Sequence, residues 1–448
     1  MSDARATFLN PDPGQGIGEM LALGDGGRAA KIAVALIAVV AVAAGIAAVM
    51  LIPGGEGPSR QSLSVYHYWT SGTDKDAIDA LKQAFGENRE IDLKFSGYTG
   101  YQDKLSMVID SSPPDVAAHW FNKYYRDYAR RGSLLDLTGF WENSGLSQVY
   151  PQKIQNLIKV DGKMYGVPLD IHWEGGVVLY NLRVLNRYGI SVPETWDGFQ
   201  LMLSELKSRG VEHPIAMGFA DAWPRDMVFT AILAAVGGSD FYQDLASGNA
   251  RWTDNKVAEA FEVYRDWCRE GYFDPSAPGL DWQQALNTFI NGETAVYFMG
   301  DWACAALKKV GWQPNVDYRA DFIPALPGVT PIAIPDLEGF VIPAKAANKE
   351  LAMEFLEFIS DPETQITFAS IKGSTAPHPN ADIQQYGDDI QRAMWNEAEN
   401  RDWALPIMWY FSQAVRDRFG DAMYRIWEKP SEVNISEICA SIDEVARG

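Results

Sequence analysis

The residues best suited to chemistry in this chain are aromatic and sit next to short polar partners. The pairs Tyr68-Trp69, His119-Trp120, His172-Trp173, Asp281-Trp282 and Asp301-Trp302 recur along the sequence, with Ala222-Trp223 and Met408-Trp409 in similar turn-like contexts. An indole offers a flat apolar face with one N–H at its edge, and a neighbouring carboxylate, imidazole or amide adds directional hydrogen bonds. That combination suits a sugar, whose C–H faces are apolar and whose rim carries hydroxyls. Core packing accounts for many tryptophans equally well. Trp196, Trp252, Trp267 and Trp427 lie in ordinary amphipathic patterns, and Trp282 opens a helix shared with Leu286, Phe289 and Ile290. Trp223 differs, because it precedes Pro224 at a helix entry instead of lying on an apolar face. Asp301 places a carboxylate beside an aromatic face, where it could accept from two vicinal hydroxyls; the competing role is a helix cap.

Composition narrows the partners. The formal net charge is −21 with 59 acidic and 38 basic residues, and no basic stripe is available for phosphates, so nucleic acid is excluded. The three cysteines, Cys268, Cys304 and Cys439, allow at most one disulfide, and no Cys/His spacing resembles a metal site. The glycines at 14–18 precede no βαβ unit and do not form a nucleotide loop. Asn434-Ile435-Ser436 fits a glycosylation acceptor pattern.

The elements that must position these side chains follow from periodicity. Residues 32–52 are uncharged and almost wholly apolar, about 31 Å of helix at 1.5 Å per residue, enough to cross a bilayer core. We expect an uncleaved, single-pass signal anchor there, after a polar segment at 1–31 and before a linker at 53–62. Arg28 and Lys31 before the span place the C-terminal body outside the cell membrane. Strands are expected at 63–68, 91–95 and 115–118, with helices between them, the first opened by a capping box of Thr73 and Asp76. This succession predicts a parallel, helix-covered sheet with ligand contacts beyond the strand ends, where Tyr68-Trp69 and His119-Trp120 fall. Further strands are expected at 177–180 and 340–342, and helices at 196–208, 229–236, 255–270 and 282–290, with Asn348 and Asp361 as later caps.

Several stretches together resemble the family 1 extracellular solute-binding proteins, the sugar receptors of ATP-driven (ABC) importers. They are DGKMYGVP (161–168), VVLYNLRVLNRYGISVPETWDGF (177–199), FINGETAVYFMGDWA (289–303) and NKELAMEFLEFISDPETQITF (348–368). Their order holds from about residue 63 to the C-terminus. Within the family, LDWQQA (280–285), IHW (171–173), IKGST (371–375) and Trp-Pro-Arg-Asp (223–226) look like the glucose/galactose-binding branch. The resemblance implies an α/β fold of two discontinuous lobes, 63–173 with 323–360 and 176–321 with 362–448. It also implies a sugar-binding, non-enzymatic role with importer permease subunits as partners and no cofactor or metal. By motif, Trp69 and either His119 or Trp120 take the first-lobe contacts, joined by Tyr68. Trp223 takes the stacking position, Asp301 and Trp302 the Gly-x-Trp segment, and Trp409 a late contact region. His172 and Trp173 stand at a crossover, where the chain departs from the branch after the histidine.

Two other readings compete. A membrane-anchored glycoside hydrolase would also line a cleft with tryptophan, but needs a second carboxylate within ~10 Å of Asp301 across the scissile bond. A polyamine or glycerol phosphate receptor would need several cleft carboxylates or a cluster of Arg and Lys, and the candidate loops show neither. A neutral sugar is therefore the expected ligand, and closure of the lobes the expected response.

Overall fold

A computed structural model describes residues 61–448; the expected polar segment at 1–31, the anchor at 32–52 and nearly all of the linker lie outside the described residues. Ten strands organise the described chain: β1 (Ser62–His67), β2 (Asp92–Gly97), β3 (Val116–Trp120), β4 (Gly166–Gly175), β5 (Val177–Asn181), β6 (Ile215–Ala216), β7 (Val296–Phe298), β8 (Tyr318–Phe322), β9 (Ile332–Val341) and β10 (Asp402–Trp403). They form two sheets. The first runs β10-β9-β3-β1-β2 with β4 also on β9, and the second runs β6-β7-β5-β8.

In β1, Leu63, Val65 and His67 point inward while the residues between them are half-buried, as expected of a strand under one helical layer. β1 is parallel to β2 and to β3, matching the expected βαβ succession. The sheet is nevertheless mixed, because β9 runs antiparallel to both β3 and β4. The intervening helix Gly72–Gly86 buries Ala77, Ile78, Leu81 and Phe85 on one face. Its expected capping box is absent: the helix begins at Gly72 (φ 61°), ahead of Thr73, and its N-cap makes no side-chain hydrogen bond. Asp361 does cap the helix Pro362–Lys372, accepting from the amides of Glu363 and Thr364. Asn348 instead turns its side chain to Asp115.

Strands β4 and β9 connect the two sheets. All ten residues of each are buried, and they pair along most of their length. At the end of β4 the chain crosses to β5 through Gly175 and Gly176. A side chain at Gly175 would meet Ile334 at 2.5 Å, and Gly176 adopts φ +81°, so this crossover needs both glycines.

The helix Trp223–Ser247 packs on β7 of the second sheet, Asn255–Arg269 and Gln413–Glu428 pack on that helix, and Ile435–Arg447 packs on those two. The expected helix at 229–236 is the middle of the first of these, which breaks its helical geometry at Gly238. Taking the first sheet with its helices as the first body and the second sheet with its helices as the second, the helix Pro362–Lys372, expected in the second lobe, packs on Gly72–Gly86 and β4 of the first. Phe368 fixes it there edge-on against Trp69 at 5.4 Å. The bodies also touch where Tyr124 of the helix Lys123–Arg130 meets Gln413 and Arg416. All three cysteines are free, and among the described residues no helix is long and apolar enough to cross a membrane.

Candidate functional site

The register of β4 against β9 sets Asp170 opposite Glu338 and His172 opposite Asp336. Like charges directly opposite on a sheet repel, and burial makes the repulsion worse. Lys372, the last residue of the helix Pro362–Lys372, relieves it. Its Nζ donates to Asp170 Oδ2 at 2.7 Å and also to Glu338, with all three side chains almost wholly buried. Burial pulls the lysine's pKa down, but Asp170 and Glu338 outweigh it and hold the ammonium charged. Burial pushes Asp170 up to about 6, partly countered by Lys372. Glu338 ends below its ordinary value, because Lys372 and His172 overcome its burial.

His172 links this pair to the second body. Its Nδ1 donates to Asp301 Oδ1 at 2.7 Å, and its Nε2 lies 3.5 Å from Asp170. Burial and Lys372 push its pKa down, yet the two carboxylates prevail and the net direction is up, favouring the imidazolium. Asp301 makes no capping hydrogen bond at the start of the helix Trp302–Lys309. Its Oδ2 is buried without a partner. Gly300 is required here, since a Cβ would fall 2.0 Å from the Trp302 ring folded over it.

Aromatic rings surround this network from both bodies. Tyr68 and Trp120, at the ends of β1 and β3, stack with centroids 3.6 Å apart. Tyr68 Oη is buried with no hydrogen-bond partner. From the second body, Trp302 meets His172 edge-on at 5.3 Å, and Trp223 lies 6.0 Å from Trp302 and 6.5 Å from Trp282. Beside them a small space of about 30 Å³ is lined by Glu174, Trp223, Asp226, Thr230, Met408 and Trp409.

The structure thus gathers Tyr68, Trp120, His172, Trp223, Asp301, Trp302 and Trp409 around one junction, and separates the other expected contacts. His119 is on the opposite face of β3 from Trp120, fully buried against Tyr125 and Tyr128, and burial lowers its pKa to about 4. Trp173 is on the opposite face of β4 from His172, packed on Phe322, Trp395 and Trp403. Adjacent strand residues point to opposite faces, so only one of each pair can reach the junction. Trp69 is 1 % exposed and stands behind Lys372, whose Nζ lies 5.2 Å from its ring, so it supports the wall instead of forming its surface.

The expectation that carboxylates are sparse is corrected. Asp170, Glu174, Asp336 and Glu338 come from strands and Asp226 from a helix, none of them from the aromatic loops. The signal was the two-residue spacing of Asp170, His172 and Glu174 and of Asp336 and Glu338. The donor atoms of Asp170, His172 and Glu338 fall within 4.8 Å of one another. The Lys372 ammonium already serves both carboxylates, so the set is an ion-pair network and not a metal centre. A second carboxylate does stand near Asp301, but Asp170 and Asp301 flank one imidazole, which leaves no room for a scissile bond between them.

Known proteins share the family and the fold of this chain. Residues 69–366 match the family described as bacterial extracellular solute-binding protein. An uncharacterised ABC transporter extracellular-binding protein of Pyrococcus horikoshii is 33% identical over 369 residues, covering 80% of this chain and 81% of that one. A probable sugar-binding periplasmic protein of Brucella suis is 28% identical, covering 72% of this chain and 76% of its own. Among solved structures, the bacterial solute receptor AcbH, described as exclusive for β-D-galactopyranose, superposes with a TM-score of 0.76 at 22% identity, covering 87% of this chain and 99% of its own. The receptor RafE in complex with raffinose superposes with a TM-score of 0.70 at 21% identity, covering 86% and 98%. The chain belongs to the bacterial extracellular solute-binding protein family. It is a receptor, not an enzyme, and the hydrolase reading is set aside.

Proposed function

We propose that this protein is the substrate-binding component of an ABC-type sugar importer, taking a mono- or short oligosaccharide, glucose-like in its ring, between its two bodies. The observation that carries this reading is the junction itself. Aromatic faces from both bodies (Tyr68 with Trp120, Trp223 with Trp302) surround a buried carboxylate oxygen of Asp301 that has no partner. A sugar fits both features at once, stacking its C–H face while donating hydroxyls to the carboxylate. Relatives and structural neighbours named for sugars support the class; their ligands range from a single hexose to raffinose, so chain length is left to measurement. Glycerol phosphate is disfavoured, because the groups left over at the junction, Asp301 Oδ2 and Asp336 Oδ1, offer a phosphate no cluster of Arg and Lys donors.

Binding closes the two bodies on the ligand. A small sugar cannot satisfy its ring of hydroxyls from one open wall, and burying most of its surface requires the second. The ligand shifts the equilibrium by the contacts it gains only in the closed state. The receptor is held at the cell membrane by a single-pass anchor at 32–52, a reading supported by the uncharged length of that segment, and delivers its sugar to permease subunits.

The test is calorimetry of the full chain against glucose, galactose, xylose, maltose and raffinose, paired with small-angle scattering. Saturable binding of at least one sugar with a fall in radius of gyration is expected. Failure of every sugar to bind would sink the reading. Recovery of the full chain from membranes only with detergent is the expected result for the anchor, and a freely soluble uncleaved product would refute it.

A further inference from the structure

Beside the junction lies a pocket whose charges are unbalanced. Glu174, at the end of β4, is 9 % exposed and lines the space of about 30 Å³ together with Asp226, Trp223 and Trp409. No hydrogen bond contributes to the state of either carboxyl group. Among the other acids, Lys372 serves Asp170 and Glu338 and His172 serves Asp301, while Asp336 forms no ion pair among the described residues. Arg225 and Arg416 are the cations that bear on Asp226, yet neither hydrogen-bonds to it. Arg225 donates to Gly420 O, and Arg416 donates to Tyr124 and Gln413. Glu174 faces Asp226, His172, Glu338 and Asp336, a set with more acids than bases.

We propose that this pocket receives a protonated amine, so that the preferred ligand is an amino sugar seated with its ring at the junction and its ammonium group between Glu174, Asp226 and the faces of Trp223 and Trp409. The inference rests on the sugar reading above and specifies it. The space holds a group about the size of one water, which is also the size of an ammonium. Two carboxylates and two indoles offer a cation charge-assisted hydrogen bonds and ring-face attraction together, whereas a neutral hydroxyl gains little from the rings. A neutral sugar would bring neither Glu174 nor the half-buried Asp226 an ion-pair partner.

The vacant pocket relieves that repulsion with protons. Burial, reinforced by Asp226, pushes Glu174 up to about 8, and burial against the pull of Arg225 and Arg416 leaves Asp226 at about 7. Entry of R–NH₃⁺ converts a carboxylic acid to a carboxylate paired with the ammonium and expels the acid's proton to the buffer. Binding of an amino sugar is therefore accompanied by proton release near pH 7, and binding of its neutral parent is not.

The experiment is calorimetry of the full chain at pH 7 in two buffers of different ionisation enthalpy. The probes are glucosamine and galactosamine, with glucose, galactose and N-acetylglucosamine as neutral counterparts and putrescine as an amine without a ring. The expected result is an amino sugar bound about tenfold or more tighter than its neutral parent, with a buffer-dependent heat that reports proton release. Glu174→Gln, checked for an unimpaired melting temperature, should bring the amino and neutral sugars to within about threefold of each other. Neutral parents binding as tightly as the amino sugars would overturn this inference and leave the sugar reading standing. Putrescine binding with no sugar bound, or no binding by any of these probes, would overturn this inference; the sugar reading falls with it only if xylose, maltose and raffinose fail as well.

Discussion

Replacing Lys372 by methionine tests whether the buried ion-pair network holds the crossover strands together. The substitution keeps most of the side-chain volume, so the effect reads charge and not a cavity. At an effective dielectric near 20, a unit pair separated by the 2.7 Å of the Lys372–Asp170 contact attracts by ~6 kcal/mol, and Glu338 adds a second contact. Desolvation of three buried groups offsets much of that attraction, so the net worth of the network is small. The cost of breaking it is not. Asp170 and Glu338 would face each other across β4 and β9 with the lysine gone and only His172, 3.5 Å from Asp170, left beside them, and breaking a buried pair in this way costs about 3–5 kcal/mol. Urea denaturation of the full chain at pH 7.5 should show a loss of that size with an unchanged denaturant slope. The sign of the pH effect follows. Without Lys372 the two carboxyl groups titrate above their unfolded values, Asp170 above the value of about 6 it has beside the lysine, so the penalty is full above those folded values and is relieved as pH falls through them towards about 4. Adding Asp170→Asn and Glu338→Gln should recover most of the lost stability. A Lys372→Met chain within about 1 kcal/mol of the parent at pH 7.5, or equally impaired at pH 4.5, would refute the reasoning.

Trp223→Ala should weaken sugar binding by about 2–4 kcal/mol in calorimetry, since a central aromatic face is lost; Asp301→Asn should cost about 1–3 kcal/mol by removing the charged acceptor. Tyr124→Phe removes the hydroxyl that accepts from Arg416 at 2.9 Å and donates to Gln413 at 3.1 Å across the two bodies. Although Tyr124 is not among the candidate ligand contacts, affinity should fall by about 0.5–1.5 kcal/mol with a larger radius of gyration at equal ligand. Melting temperature should decline from pH 5 towards pH 8, because Glu174 keeps its proton to about 8 in the fold and loses it near 4.3 when unfolded. Glu174→Gln should flatten that decline, and a profile identical to the parent's would show that Glu174 does not titrate as proposed.

The regular elements were legible where one physical rule governed them. The helix Gly72–Gly86 and the strands β1 to β3 follow from apolar periodicity, and Trp223 was readable as a helix opener because Pro224 follows it. The aromatic side of the site was legible for the same reason, since Tyr68 and Trp120 fall at strand ends. The acidic side was not. Asp336 and Glu338 on a strand buried over all ten residues contradict the rule that charges lie outside, so only the apolar end of β9 was expected as strand. The rule fails because Lys372, 202 residues after Asp170 and 34 after Glu338, supplies the compensation, and no local pattern announces a partner that far away. The alternation that turns His119 and Trp173 away from the junction follows from strand geometry, but choosing the inward member of each pair required knowing which face met the second body. The resemblance, and not periodicity, carried the discontinuous lobes, and it missed that Pro362–Lys372 stays with the first.

Those buried charges bear on specificity as well as stability. A receptor that recognised its ligand only by stacking would discriminate poorly, because one ring face resembles another and small changes in an apolar pocket are worth only ~1–3 kcal/mol. Polar groups that are buried and unpartnered until the ligand arrives discriminate far more strongly, since a ligand lacking the matching donor leaves them unsatisfied. On the reading proposed above, Asp301 Oδ2 and Asp336 Oδ1, buried and without partners, are such groups. They are held in place by a network in which Lys372 and His172 have already been committed. That commitment explains why the acids could be retained at all. The two cations cancel enough charge to let β4 and β9 fold, and leave acceptors over for whatever enters. A ligand rich in donors, or carrying a positive charge, completes the arrangement; an anion or an apolar ring does not.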